Sequence, residues 1–465
     1  MPERVSKYDA MFLNCDNEVA EMQVAAASLV DGPVDFERYK AFVAPRIAAI
    51  PRLCQALRPT AFDFRYPTWV DVPNFDPADH IEHLELAAPG SEQQLHELLT
   101  ERIHHRLDKT KPLWRLLIVN GLEGGRSAMV FNVHHAICDG ASAMEIFKAL
   151  YDDPEGGWPD HVHLQRAEEP AKRIPPVPVR VMKGLASPET RARLGFMWRY
   201  AKAPGPWFPF TRPVSGRMQF SWRNFPLDRL QAIRRSLGGT MTDVGLAAVG
   251  GAMDRYAERE GIDVRDQFFK VLLPENVRAA DSYGEMGNAV SGIPTLVPLG
   301  IADPAERLAK VTAYTRSAKE QRLGRQFYSI LTGLMDLLGP MGATKLTRFL
   351  ASPKWIRFAS RFVKTPREHA IITSVQMPSS VVFKIEGHEV TQSFPMVPCG
   401  LSLGVMCALI SYRDQLQVAL TGDAKTIPDI DALMDDIGIV IDEMASAANV
   451  IPDTPPHPLE TVAAK

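Results

Sequence analysis

Two adjacent histidines, an aspartate four residues past the second and a glycine directly after it make up the stretch His134-His135-Ala136-Ile137-Cys138-Asp139-Gly140. The 465-residue chain has only 12 histidines, and at its composition such a pattern arises by chance roughly once in a thousand chains. An imidazole with an ordinary pKa of about 6.5 suits proton removal near neutrality. To act as a base, it needs one ring nitrogen free and the other pinned. Asp139 could pin the ring, or brace the loop by pairing with a cation elsewhere, and Gly140 permits a tight turn or a close backbone approach. No G-x-S-x-G elbow and no H-E-x-x-H helix lies nearby. A base without a nucleophile beside it favours direct transfer, in which the base activates the hydroxyl of the acceptor itself.

The neighbouring elements say how the histidines point. Alternation of Ala128, Val130 and Asn132 against Met129, Phe131 and Val133 predicts a strand running into the pair, so only one imidazole can face a cleft. The other is expected to be structural. Beyond Gly140, Ser142 and Glu145 have capping-box spacing and precede an apolar stripe, which predicts a helix. A metal site is not expected, because neighbours on a strand diverge and no third ligand stands at metal spacing. Cys138 reads as a small buried thiol. His104-His105 form a second pair, but Asp108 comes one residue too early and no glycine follows. That pair is expected to be ordinary helix.

The remaining elements form a mixed α/β pattern. Strands are predicted at 20–30, 115–122, 127–135, 267–278, 288–299 and 369–376, with two more within 401–423. Helices are predicted at 35–50, 91–107, 240–260 and 427–448. Residues 151–215 hold 11 of the 37 prolines and read as an irregular linker between two halves. The expected division is an N-terminal half over 1–150, a linker over 151–215, a C-terminal half over 216–450 and a flexible tail over 451–465.

Composition excludes several classes. Charged residues make up 23% and the net charge is −3, which leaves no nucleic-acid footprint. Five scattered cysteines without a C-x-x-C pair argue against a disulfide framework and suit a reducing cytoplasm. The N-terminal MPERVSKYDAMFLN has no apolar signal region, and no apolar run reaches bilayer length.

The stretch His134–Gly140 resembles the HHxxxDG motif of the CoA-dependent acyltransferase superfamily, which includes chloramphenicol acetyltransferase and peptide-synthetase condensation domains. More specifically, the chain resembles the bacterial wax ester synthase/diacylglycerol acyltransferase family. The likeness runs through YDAMFLN (8–14), PTWVDVPNFDPADHI (67–81), DKTKPLW (108–114), PENVR (274–278), MGN (286–288) and SYRDQLQVALTGD (411–423). It implies two pseudo-symmetric, chloramphenicol-acetyltransferase-like α/β halves with a tunnel between them. It also implies His135 as general base, and a structural Asp139 paired with an arginine of the other half, for which Arg278 is the candidate. Pro112, Leu113 and Trp114 match a motif whose plain reading is packing. Where many relatives have Asn-Asp, this chain has Thr242-Asp243, and Ser374-Val-Gln-Met-Pro-Ser-Ser replaces Ser-Asn-Val-Pro-Gly-Pro.

The resemblance implies an O-acyltransferase that moves a long-chain acyl group from acyl-CoA, a co-substrate rather than a bound cofactor. The expected acceptor is diacylglycerol, giving triacylglycerol, or a long-chain alcohol, giving a wax ester. Asn288, Thr242 and Ser374 are candidate oxyanion or substrate contacts. Two alternatives are an acyltransferase acting on a carrier-bound polyketide or peptide, and a non-catalytic lipid-binding homologue. A last feature bears on location. No acidic residue lies between Asp336 and Glu368, and 345–364 interleaves six cations with aromatic and aliphatic residues around Pro353. This predicts two short amphipathic helices suited to an anionic lipid surface, with solvated packing as the plain alternative. The expected location is cytoplasmic, peripheral on the inner membrane face or on lipid droplets.

Overall fold

The computed structural model describes residues 3–103, 106–140, 142–154, 188–278, 286–362, 365–377 and 381–450. The chain begins with α1 (Lys7–Cys15), β1 (Gln23–Val30), α2 (Phe36–Ala48), β2 (Gln55–Arg58), β3 (Thr68–Asp71), β4 (Ile81–Glu85) and α3 (Glu92–Ile103). Next come β5 (Trp114–Leu122), β6 (Arg126–His134), α4 (Ala143–Leu150), α5 (Pro188–Lys202), β7 (Met218–Pro226), α6 (Leu227–Leu237), α7 (Met241–Arg259) and β8 (Phe268–Asn276). β9 (Val290–Pro298), α8 (Pro304–Glu320), α9 (Leu323–Ala351), α10 (Pro353–Ala359) and β10 (Ala370–Gln376) follow. The last elements are β11 (Lys384–Ile385), β12 (His388–Met396), β13 (Val405–Tyr412), β14 (Gln415–Asp423) and α11 (Ile430–Ala447).

Two six-stranded sheets organise these elements, in the orders β11-β12-β1-β6-β5-β4 and β7-β14-β13-β10-β8-β9. The first sheet is not built from the N-terminal residues alone. β12 pairs antiparallel with β1, setting Ala25 opposite Met396 and Leu29 opposite Gln392. The C-terminal part of the chain therefore lends a strand to the N-terminal sheet, and contiguous halves of sequence do not map onto the two sheets. An apolar cluster containing Leu29, Val130, Phe220, Phe394 and Met406 joins residues of both sheets in one core.

Local sequence explains most element ends. Thr240 and Asp243 form a reciprocal capping box at the start of α7, and Asp429 caps α11 by accepting from the Ala432 N–H at 2.9 Å. Pro304 and Pro353 occupy the first turns of α8 and α10, where a missing N–H leaves no bond unmade.

Several expectations need correction. Within the stretch read as an irregular linker, 155–187 lie outside the described residues, but 188–202 is helix α5. Phe208 and Phe210 beyond it are fully buried against Tyr256 and Phe269. Prolines there shape a packed crossing, because the aromatic residues between them have a core to enter. The helix read over 91–107 ends at Ile103, and His104 and His105 lie outside the described residues, as does the tail from 451. The amphipathic stretch is not two short helices. Its first part belongs to α9, which bends at Gly339, where φ is +65° and Pro340 follows. A residue before proline is driven out of the helical region, and glycine accepts the left-handed value. Pro353 then separates α9 from the short α10.

Candidate active site

The site grows from the end of β6. His134 is the last residue of that strand and His135 the first beyond it, so the two side chains leave in opposite directions. The His134 backbone N–H donates to the Leu113 carbonyl at 2.9 Å, and that of His135 to the Met22 carbonyl at 2.8 Å. Both imidazoles are thus mounted on sheet backbone. His134 is 1% exposed, whereas His135 is half-buried.

The two rings meet different surroundings. His134 Nδ1 accepts from the Ala136 N–H at 3.0 Å, so its proton sits on Nε2, which faces the Asp16 carboxylate at 3.8 Å. Asp16 is in turn bonded by Lys109 at 2.6 Å and Arg106 at 2.9 Å. His134 packs at the buried side of a half-exposed ionic cluster, at the end of the strand. Burial lowers its pKa, opposed by Asp16.

His135 is held by a relay. Its Nδ1 donates to Asn288 Oδ1 at 2.8 Å, and Asn288 Nδ2 donates to Asp9 Oδ1 at 2.7 Å and to the His135 carbonyl at 2.6 Å. Two acceptors around Nδ2 settle which end of the amide faces the ring. With the proton on Nδ1, the lone pair of Nε2 is left for substrate. Nε2 has no hydrogen-bond partner among the described residues. Phe12 on α1 stacks on the imidazole with centroids 4.2 Å apart and planes within 2°. Burial is the main cause holding the His135 pKa below its ordinary value, so the ring is neutral at pH 7.

Asp139 does more than brace the loop. Its backbone N–H donates to Ser142 Oγ and its Oδ1 accepts from the Ser142 N–H, both at 3.0 Å, while its carbonyl accepts from the Ala143 N–H at 2.9 Å. This is a reciprocal cap on α4. The box expected from Ser142 to Glu145 does not form, since the Ser142 hydroxyl is taken by Asp139 and by the Gly287 carbonyl at 3.1 Å. The other oxygen, Oδ2, accepts from Arg278 Nη2 at 3.0 Å and from the Ala289 N–H at 2.8 Å. Asp139 and Arg278 are 4% and 6% exposed, so the ion pair lies in the interior.

Arg278 follows β8 and Asn288 precedes β9, so strands of the second sheet bring both to the loop that follows β6. Gly287 completes the junction. Its N–H donates to the Ile137 carbonyl at 2.8 Å, its carbonyl accepts from Arg278 Nη2 at 2.8 Å, and its φ is +101°. A Cβ at Gly287 would stand 3.1 Å from Asp9 Oδ2. Gly140 is different. It is exposed, its φ is not positive, and a Cβ there would meet nothing within 4 Å. The glycine that this site demands sterically is therefore Gly287, not Gly140.

The remaining candidates divide. Asn288 was a candidate oxyanion donor, but its Nδ2 protons go to Asp9 and the His135 carbonyl, and its backbone N–H also goes to Asp9, at 2.9 Å. It holds the His135 ring instead. Thr242 and Ser374 meet each other, hydroxyl to hydroxyl at 3.2 Å, without touching His135. Asp243 beside Thr242 is spent on the α7 cap and on the Thr315 hydroxyl at 2.7 Å. Pro112, Leu113 and Trp114 are buried, and Trp114 Nε1 donates to the Leu53 carbonyl at 2.6 Å, which is packing. Burial pushes the Cys138 thiol well up, so it offers no thiolate. Among the described residues, no group of three His, Cys, Asp or Glu side chains could hold a metal.

Sequence reasoning missed Asp9, Phe12 and Gly287. All three lie in YDAMFLN and MGN, segments that carry the family likeness but in which local pattern gives these residues no role. One signal was available for Asp9. A carboxylate among Tyr8, Ala10 and Leu13 on a buried helix face needs a partner.

Comparison with known proteins places the chain in a family. Residues 5–245 match the wax ester synthase/diacylglycerol acyltransferase catalytic domain, and 286–445 match the C-terminal domain of the same family. A putative diacylglycerol O-acyltransferase of Mycobacterium bovis is 27% identical over 435 residues, spanning 90% of this chain and 91% of that protein. A probable diacylglycerol O-acyltransferase of Mycobacterium tuberculosis matches to the same extent. Among solved structures, a wax ester synthase/diacylglycerol acyltransferase from Marinobacter aquaeolei superposes with a TM-score of 0.67 at 19% identity, covering 96% of this chain and all of that one. The first condensation domain of the calcium-dependent antibiotic synthetase superposes at 0.60 and 15%, with 96% of each chain covered. The structural likenesses establish the two-halved fold that these proteins share, and the domain matches, which together span most of the sequence on both sides of the Asp139–Arg278 junction, establish that the chain belongs to the wax ester synthase/diacylglycerol acyltransferase family.

Proposed function

We propose that the protein transfers a long-chain acyl group from acyl-CoA to the hydroxyl of diacylglycerol, or of a long-chain alcohol, with His135 as the general base. The observation that carries the mechanism is the relay on Nδ1. A neutral imidazole pinned by Asn288 through its N–H leaves Nε2 as a lone-pair acceptor. The acceptor hydroxyl gives its proton to Nε2 while its oxygen attacks the thioester carbonyl carbon. The tetrahedral intermediate collapses with cleavage of the C–S bond, and the imidazolium returns the proton to the departing CoA thiolate. No acyl-enzyme is needed, in keeping with the buried, protonated Cys138.

In this reading Asp139 and Arg278 are structural. They hold the loop after β6 against the second half, where the tunnel implied by the family would pass. Asp9 and Asn288 are positioning residues that set the ring and its tautomer. Acyl-CoA is a co-substrate. The acceptor classes are those in the names of the relatives, and both partition into lipid. That favours a peripheral location on a membrane or droplet, and no helix among the described residues is long and apolar enough to cross a bilayer.

The test is release of free thiol from palmitoyl-CoA with diacylglycerol, with hexadecanol, with a carrier-bound thioester and with no acceptor, the esters being identified by mass. Ester formation with either lipid alcohol, lost in His135→Ala, is the expected result. Thiol release that needs the carrier-bound acceptor, or none from any acceptor, would reject the proposal.

A further inference from the structure

Large apolar side chains are unevenly exposed on this protein. Of the fifteen that are exposed among the described residues, thirteen lie on α9, α10, the residues just after it, and one neighbouring turn. On the first part of α9 they recur at 327, 330, 334, 337 and 338, a single stripe along one helical face. Past the bend at Gly339, an aromatic chain runs from Phe349 to Trp355, Phe358 and Phe362, with centroids 4.6, 5.7 and 5.0 Å apart. Phe62 and Phe64, 80% and 64% exposed, add two more rings from the turn at Ala61–Asp63, which packs against α9. Arg348 locks that turn in place through Asp63 at 2.8 Å.

Asp336, exposed and paired to Lys7 at 2.6 Å, lies on the first part of α9, and past the bend the charge of α9 and α10 has one sign. Lys345, Lys354, Arg357 and Arg361 are exposed, and no carboxylate occurs between Asp336 and Glu368. The covered side of α9 rests on α1. Asn14 Nδ2 donates to the Thr344 hydroxyl at 3.3 Å, Arg348 Nε donates to Asn14 Oδ1 at 2.9 Å, and the Tyr8 and Tyr328 rings lie 4.9 Å apart. α1 also carries Phe12, the ring stacked on His135. One helix therefore separates the apolar face from the base.

We infer that the α9–α10 face, together with Phe62 and Phe64, docks on an anionic lipid surface and sets the acceptor side of the site against the lipid phase. Rings on a short segment with unmatched cations fit the boundary between headgroups and acyl chains, where apolar burial and charge attraction add. A protein partner, or a second copy of this chain, would have to neutralise the same cations. This chain has no exposed acidic apolar face among its described residues comparable in extent to do so. The docking stands on the surface alone, while delivery of the acceptor rests on the acyl transfer proposed above.

The experiment uses the full chain and sedimentation with phosphatidylcholine vesicles, with and without phosphatidylglycerol. It compares wild type with K354E/R357E/R361E and with F349S/F358S/F362S, each checked for an unchanged melting temperature. Wild type should sediment with the anionic vesicles, and each variant should partition about tenfold more weakly or worse. Transfer to vesicle-embedded diacylglycerol should fall in parallel, while transfer to a dispersed short-chain alcohol should stay at the wild-type rate. Equal vesicle binding by wild type and both variants would overturn the inference. So would a wild-type dimer that F349S/F358S/F362S converts to monomer while neither protein binds vesicles. Lipid binding lost in the variants, with no transfer to any acceptor by wild type, would leave the docking standing and remove the acyl transfer.

Discussion

The corner around His135 and the α9–α10 face depart from ordinary protein architecture in opposite ways. At the corner, polar and charged groups are buried: Asp9, Asp139, Arg278 and Asn288 are each no more than 8% exposed. On the face, large apolar groups stand in water: Leu337 is 73% and Phe362 71% exposed. The corner offsets its desolvation with hydrogen bonds that run between segments far apart in the chain, Asp9 to Asn288 and Asp139 to Arg278 among them. The face has no such compensation inside the molecule. A departure satisfied within the fold is a device for holding geometry. A departure left unsatisfied points outward, to something the fold alone does not contain.

The comparison breaks first at His135. His135→Ala should reduce acyl transfer by about two to four orders of magnitude, the usual contribution of a positioned base, with little change in melting temperature. His134→Ala should instead lower the melting temperature, because Asp16, Lys109 and Arg106 lose a member of their cluster. The pH profile carries a sign. Burial holds His135 below its ordinary 6.5. kcat/KM should therefore fall along an acid limb centred below 6.5, as the ring protonates. An acid limb centred above 6.5 would contradict the buried, neutral ring.

The next effect is on stability. Arg278→Ala leaves the Asp139 carboxylate buried without its cation, and should cost about 3–5 kcal/mol in chemical denaturation. Asp139→Asn strands the buried Arg278 guanidinium instead and should cost a comparable amount, lessened only in that an amide keeps an acceptor at the start of α4. Equal stability of Arg278→Ala and wild type would mean that the junction is not braced by this pair.

The relay should give a smaller and more specific change. Asn288→Ala frees the ring to rotate and change tautomer, so kcat should fall while KM for acyl-CoA holds. Asp9→Asn should follow it at lower amplitude. A change confined to KM would move Asn288 from positioning the base to binding substrate.

Smaller still is the contrast between the two glycines. Gly287→Ala forces a Cβ at φ +101° against Asp9 and should cost about 1–3 kcal/mol. Gly140→Ala, with open space before it, should stay within about 0.5 kcal/mol, so any loss of activity there would report on substrate rather than fold. The least effect belongs to the face. Phe358→Ser or Phe362→Ser should change stability by no more than about 0.5 kcal/mol, because neither ring is buried. A larger loss would show that these rings contribute to folding and weaken the case for an external partner.

Much of this was legible in the sequence because it depends on short-range periodicity. The alternation from Ala128 to Val133 marks β6, and that alternation sends His134 and His135 to opposite sides whatever lies beyond. Thr240 with Asp243 announces the start of α7. The absence of carboxylates across 337–367 is a fact of composition, and so is the cationic character of the face. The cap on α4 was misread by three residues. Ser142–Glu145 and Asp139–Ser142 both have cap spacing, and the Arg278 contact decides between them by holding Asp139 at the helix start.

Tertiary structure alone decided the partners. Asp9, His135 and Asn288 lie more than a hundred residues apart, and nothing in the periodicity of any one segment records that β9 will bring Asn288 to the end of β6. The pairing of β12 with β1, which takes a C-terminal strand into the N-terminal sheet, is equally invisible, since a strand pattern states which face is apolar but not which edge it will join. Local propensity is set by neighbours within about four residues, so it fixes elements and the directions of their side chains. Which carboxylate meets which cation is set by the packing of two sheets on a shared core, and only the folded chain contains that information.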